Sequence, residues 1–202
     1  MGAVKTFYIL LCMVFLVHTN VFSQSVQFQI LKGGKEIGQI KAHQNSEDAK
    51  TTYTVSSKAS FRVLMKYVRE TYAKAVYVDG ELVSSDAMQK MNDNVKEHRI
   101  TTLEGGKYAC NNKGAQLSSI GEQIRFCTSM LYFQEPKNQT HIFAENYQKL
   151  SPIKKIKEGI YELTLPNGKI NHYVYKSGRL EEIRVFRSIV DLVFKRDDAL
   201  SD

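Results

Sequence analysis

Apolar and polar residues alternate along most of this chain, and short turn signals interrupt the alternation again and again. A period of two puts every second side chain on one face of an extended strand, so the pattern demands sheet. Val26-Gln27-Phe28-Gln29-Ile30 alternates, Gly33-Gly34 turns the chain, and residues 37–43 return. Tyr53, Val55, Ser57, Ala59, Phe61, Val63, Met65 and Tyr67 share one parity over more than a usual strand length, which predicts a bend or bulge within the run. Asp79-Gly80, set between residues 73–78 and 81–90, is a strong two-residue hairpin signal. Residues 98–103, Gly105-Gly106 and residues 107–110 repeat the arrangement. Further on, residues 141–147 and 153–156 read as strands. A meander follows: Tyr161 to Leu165, a turn at Pro166-Asn167-Gly168, Ile170 to Tyr175, a turn at Ser177-Gly178, and residues 180–194. About ten strands in hairpin and meander order make a mainly β fold.

One segment departs from this period. Ser119-Ile120-Gly121-Glu122 has the form of a capping box. Ile120, Ile124, Cys127 and Leu131 then recur at helical spacing, with Phe126, Met130 and Phe133 as a second stripe beside them. Pro136 disfavours helix at Glu135. The spacing predicts a helix of about four turns near 120–134, apolar nearly all round at its end. An antiparallel sheet with one apolar face needs a cover. The expected architecture is therefore a large curved antiparallel sheet or partial barrel with this helix packed on its concave face.

The first residues read as a secretory leader. Lys5 precedes the apolar run FYILLCMVFLV, and Val21 and Ser23 stand at the small-residue positions before a cleavage between Ser23 and Gln24. The run is about half of the roughly 20 residues that a membrane-spanning helix needs. The expectation is a signal peptide over 1–23, a single β-rich domain over 24–202 with a polar, frayed tail at 196–202, a periplasmic or secreted location, and no transmembrane anchor in the mature form. The chain carries 28 basic and 21 acidic residues, and only Lys5 among them leaves with the leader. An exported basic protein meets lipid head groups or acidic glycans rather than nucleic acid; dispersed charge that only solvates the surface is the plainer reading. Cys110 and Cys127 remain after processing. A bridge between them would close a loop of about 17 residues, worth roughly 3 kcal/mol; two separate buried thiols fit the spacing equally well.

Few reactive constellations are present. The histidines are scattered, without metal-ligand spacing. There is no G-x-S-x-G elbow, and Gly33-Gly34-Lys35-Glu36-Ile37-Gly38 misses a phosphate-binding spacing. Cys127 with His141 could imitate a thiol nucleophile and base, but Cys127 lies on the apolar stripe. No catalytic residue, metal or cofactor is expected, and an enzyme, at most a hydrolase with a cross-strand site, ranks last. What remains is apolar and aromatic: Phe126, Met130 and Phe133 on the predicted helix, and Tyr161, Tyr173 and Tyr175 on the meander. They line a lipophilic pocket if the sheet wraps the helix incompletely, and fill an ordinary dry core if it does not.

Leu131-Tyr132-Phe133 with Glu135-Pro136, Phe143-Ala144-Glu145, the run from Tyr161 to Pro166 with Gly168, Tyr173-x-Tyr175 and Gly178-x-Leu180 together resemble a family of exported Gram-negative bacterial proteins known only as a domain of unknown function. The resemblance covers most of the mature chain. It implies an envelope location and a predominantly β fold, and supplies no ligand or catalytic residue. The expected function is a non-enzymatic envelope protein binding a lipophilic or anionic amphiphilic molecule between sheet and helix. The alternative is a structural or protein-interaction module of the envelope with a closed core. Nothing in the sequence sets the oligomeric state.

Overall fold

At Asp79-Gly80 both central residues of the turn have positive φ, 50° and 75°, and Asn92-Asp93 does the same with 49° and 64°. That is type I′ geometry, whose twist matches two paired antiparallel strands. Turns of this kind return the chain at once, so each strand lies beside its predecessor. The structure, a computed structural model, describes residues 21–62, 66–186 and 191–200. Eight strands come first: β1 (Val21–Lys32), β2 (Lys35–Glu47), β3 (Lys50–Arg62), β4 (Lys66–Val78), β5 (Glu81–Met91), β6 (Asn94–Glu104), β7 (Lys107–Asn112) and β8 (Ala115–Ile120). After a non-strand segment follow β9 (His141–Ala144), β10 (Lys149–Lys157), β11 (Ile160–Thr164), β12 (Ile170–Lys176), β13 (Arg179–Val185) and β14 (Leu192–Arg196).

All belong to one 14-stranded antiparallel sheet in the order β8-β7-β6-β5-β4-β3-β2-β1-β14-β13-β12-β11-β10-β9. The two arms of the meander meet where β1 pairs with β14, with Ile30 opposite Phe194. The free edges are β8 and β9, and residues 121–140 join them. The sheet is not closed by a ladder. The joining segment runs through the concave interior and ties the arms together: Leu82 N donates to Ile124 O at 2.9 Å and Phe143 N to Phe126 O at 2.9 Å. Bulges in several ladders, at Val76/Tyr77, Gln89/Lys90 and Val174/Tyr175 among them, sharpen the local twist and help the sheet curl.

The described chain has more strands than expected, for identifiable reasons. The long run around residues 53–67 is two strands, β3 and β4, paired along their whole length; residues 63–65 lie outside the described residues. The run at 180–194 likewise divides into β13 and β14. The segment at 115–120 is a strand.

The helix near 120–134 does not form. Ser119 and Ile120 complete β8, Gly121 to Phe126 are non-helical, and a short 3-10 turn over Thr128–Tyr132 replaces four helical turns. Burial explains the difference. Gln123 and Arg125 are exposed while Ile124 and Phe126 are buried, a period of two that satisfies backbone groups against β5 and β9. Gly121, Thr128 and Ser129 are also weak helix formers. The capping box is absent, with Ser119 in β8 and Glu122 exposed. The predicted cover is present in position, as an irregular plug and not a helix.

Residues 1–20, with most of the expected leader, lie outside the described residues. Val21, Phe22 and Ser23 open β1 at exposed positions, and the first buried side chain of that strand is Val26. Among the described residues no helix is long and apolar enough to cross a membrane.

Candidate functional site

The plug fills one end of the interior. Cys127 is extended, with φ −132° and ψ 170°, and starts the 3-10 turn. The Glu145 side chain, 1 % exposed, accepts hydrogen bonds from Thr128 N at 3.1 Å, Ser129 N at 2.9 Å and the Thr128 hydroxyl. These donors satisfy a carboxylate that would otherwise be costly to bury. Tyrosines hold the other side of the plug. The Tyr175 hydroxyl lies 2.6 Å from Leu131 O and 3.2 Å from Gln134 O, and Tyr161 donates to Glu135 at 2.9 Å. Gln134 donates to the Tyr53 hydroxyl at 3.1 Å, and the Tyr108 hydroxyl accepts from Ile124 N at 3.2 Å. Leu131 is fully buried among them.

Glu145 opens a turn that works as a clasp. Gln148, also buried, donates to Ile100 O, Thr101 Oγ1 and Asn111 O at 2.9–3.1 Å, and so anchors the β9–β10 edge to β6 and β7. Asn146 accepts from Gln89 on β5 at 3.4 Å, and Tyr147 accepts from Asn167 at 2.8 Å. Side chains of one four-residue turn thus span the gap that no ladder closes. The sequence pattern continues a strand through these residues. The one available signal is a run of polar residues, Glu145-Asn146 and Gln148, just after the apolar Ile142-Phe143-Ala144.

The other end of the interior is hollow. A cavity of about 250 Å³ lies between the plug and the concave sheet. Side-chain size along the inward parity explains it. Next to the plug, Tyr53 on β3 and Tyr77 on β4 reach inward and meet edge-to-face at 5.9 Å. Farther along the same strands the inward residues shrink. Ile40, Ser57 and Thr71 form one cross-strand row, and Gly38, Ala59 and Arg69 the next. Gly38 permits an especially close approach of β2 to β3, because a Cβ there would stand 2.0 Å from Lys58 O. Ile30, Val55, Ala73, Ile183, Leu192 and Phe194 supply apolar wall, and Thr128, Ser129 and Tyr132 of the plug form the floor. Arg69, Gln89, Asn146 and Asn171 add polar groups, and Asn171 Oδ1 is buried without a hydrogen-bond partner among the described residues.

Of the residues expected to line a pocket, only Tyr173 borders this cavity. Phe126 and Met130 are packed in the core, and Phe133 lies tilted against Tyr53 at 5.9 Å. Tyr161 and Tyr175 serve the plug. Cys110 and Cys127 are both buried and both free, so no bridge joins them. Cys127 is inside the core, and burial, then the nearby Glu145 charge, push its thiol well above the ordinary range. It is thereby protonated and inert at neutral pH. His141 is exposed and bonded to Thr140, which leaves no thiol–imidazole pair. The Tyr77 hydroxyl, buried beside the Cys127 thiol as its neighbour, is pushed well above the ordinary phenol range, first by burial. A wider groove of about 420 Å³ crosses the outer face of β2 to β5, where Lys58 and Glu70 already pair at 2.8 Å.

The fold has a counterpart among solved structures. The crystal structure of a beta-barrel-like protein of domain of unknown function DUF1849 from Brucella abortus superposes with a TM-score of 0.53 at 9 % identity, covering 89 % of this chain and 98 % of that one. At that identity the likeness concerns the fold alone. No curated protein matches the chain. A family pattern does match, over residues 28–197, nearly the whole of the described sheet, and by that match the chain belongs to the family described as domain of unknown function DUF6134.

Proposed function

We propose that this is an exported, non-enzymatic binding protein that shelters a small lipophilic molecule inside its curled sheet. The observation that carries the reading is the cavity of about 250 Å³ between the plug and strands β1 to β4 and β12 to β14. Natural cores are packed to near crystal density with few voids larger than a water molecule. This hollow is partly open and a little more apolar than polar, and a small ligand seated in it would take that apolar wall out of water. Ligand pockets for drug-sized molecules run from about 300 to 1,000 Å³, so the occupant is a small one. The export reading rests on the leader-like first residues.

Native mass spectrometry of the protein isolated gently from its producing cells, compared with the same sample denatured, tests this. Extra mass that disappears on denaturation is the expected result. A bare chain in both states, with no melting-temperature gain from any apolar compound offered, would overturn the reading in favour of a closed envelope module.

A further inference from the structure

The binding reading leaves the head group of the occupant open, and the cavity wall speaks to it. Among the described residues that line the cavity, Arg69 is the one with a full charge. It stands on the inward parity of β4, opposite Ala59 on one side and Met91 on the other. Its hydrogen-bond partner is neutral: Nη2 donates to Gln89 Oε1 at 2.9 Å. Gln89 in turn donates from Nε2 to Asn146 Oδ1 at 3.4 Å. This relay orients the guanidinium without neutralising it. The buried carboxylate nearest the cavity floor, Glu145, is occupied by Thr128 and Ser129. Arg69 is exposed at a hollow whose wall is a little more apolar than polar; a cation there, steadied by amides and lacking a carboxylate partner among the described residues, matches an anion. A guanidinium presents a planar fork suited to a carboxylate. A single positive charge balances a monoanion better than a phosphate dianion.

Resting on the cavity-binding reading, we infer that the ligand is an aliphatic carboxylic acid, its tail among Ile40, Val55 and Phe194 and its carboxylate on Arg69.

Decanoate and decanol offer the same tail with and without the charge. Calorimetric titration of the wild-type protein with each is the test, repeated on Arg69→Gln and Arg69→Lys, with melting temperatures confirming that both variants fold. Decanoate is expected to bind the wild type several-fold more tightly than decanol, the charge-assisted pair on the exposed Arg69 being partly screened by solvent. Arg69→Gln should erase that preference, chiefly by weakening decanoate, and Arg69→Lys should keep much of it. Equal binding of the two compounds by the wild type, or a preference that survives Arg69→Gln, overturns the carboxylate assignment and leaves the cavity as a binding site. Failure of both compounds to bind overturns the cavity reading along with it.

Discussion

Ala73 and Ala75 lie two residues apart on β4, both point inward, and both are buried, yet they belong to different regions. Ala75 sits between Tyr53 and Ser85 in the row beside the plug, and is wholly buried. Ala73 sits between Val55 and Ala87 and borders the cavity. The plugged end is filled by large side chains, tyrosine hydroxyls bonded to plug carbonyls and a saturated buried carboxylate. The hollow end is walled by small residues with little to fill the centre. The difference teaches that one sheet, with one alternation throughout, can be core at one end and container at the other. Inward side-chain volume decides which.

The comparison can be broken most severely at the plug. Leu131→Asp should prevent folding, because it puts an unpaired charge among fully buried side chains; a soluble variant with a normal melting transition would show that the plug is dispensable. High pH should act on the same end. Burial pushes the Tyr53 phenol up to about 12, and moves the Tyr175 phenol, bonded to Leu131 O, upward as well. Between pH 10, where an unfolded tyrosine loses its proton, and about 12, the folded state binds more protons than the unfolded one. Stability is therefore full below pH 10 and declines as pH rises through that window. Tyrosinate absorbance should appear together with loss of the fold; phenols titrating near pH 10 in an intact fold would contradict the packing described for them.

The alanine pair sharpens the contrast directly. Ala75→Leu should overpack the plugged end and cost about 1–3 kcal/mol, whereas Ala73→Leu, growing into open space, should stay within about 1 kcal/mol of wild type. Similar losses in denaturant melts of the two variants would erase the distinction between the ends. The smallest effect is expected at Asn171. Replacing it with leucine removes a buried acceptor without a partner among the described residues and, with it, the side-chain hydrogen bond to Tyr173, so the net change should stay within about 1 kcal/mol of zero; a larger loss in denaturant melts would show that the Tyr173 bond outweighs the unpaired oxygen.

Much of the sheet was legible. The turns at Gly33-Gly34, Asp79-Gly80, Gly105-Gly106 and Ser177-Gly178 were read from residue type, and all four have the positive φ that the reading requires. The polar stretch Met91 to Asn94 reads as a turn and Asn111 to Gly114 as a loop, and Asn92-Asp93 and Lys113-Gly114 close β5–β6 and β7–β8 just as tightly. The apolar segment after residue 120 was read correctly as the interior's cover and wrongly as a helix. Its spacing fits a helical stripe, and nothing local reveals that Leu82 and Phe143 wait to pair with its backbone. The cavity was out of reach for a related reason. Ser57, Ala59, Thr71 and Ala73 look like ordinary strand residues until register places them together with Gly38.

The sequence by itself determined the strand-and-turn grammar, because alternation and turn chemistry are local: they act between residues two to four apart. It also determined which face of most strands turns inward, though in β6 Ile100 is exposed and Thr101 buried. Only the tertiary structure decided how the two arms meet at β1 and β14, that a four-residue turn clasps the edges through Glu145 and Gln148, and that the interior is filled at one end and hollow at the other. Those outcomes depend on volumes and donors brought together from residues as far apart as Ile30 and Phe194, and no local pattern carries that sum.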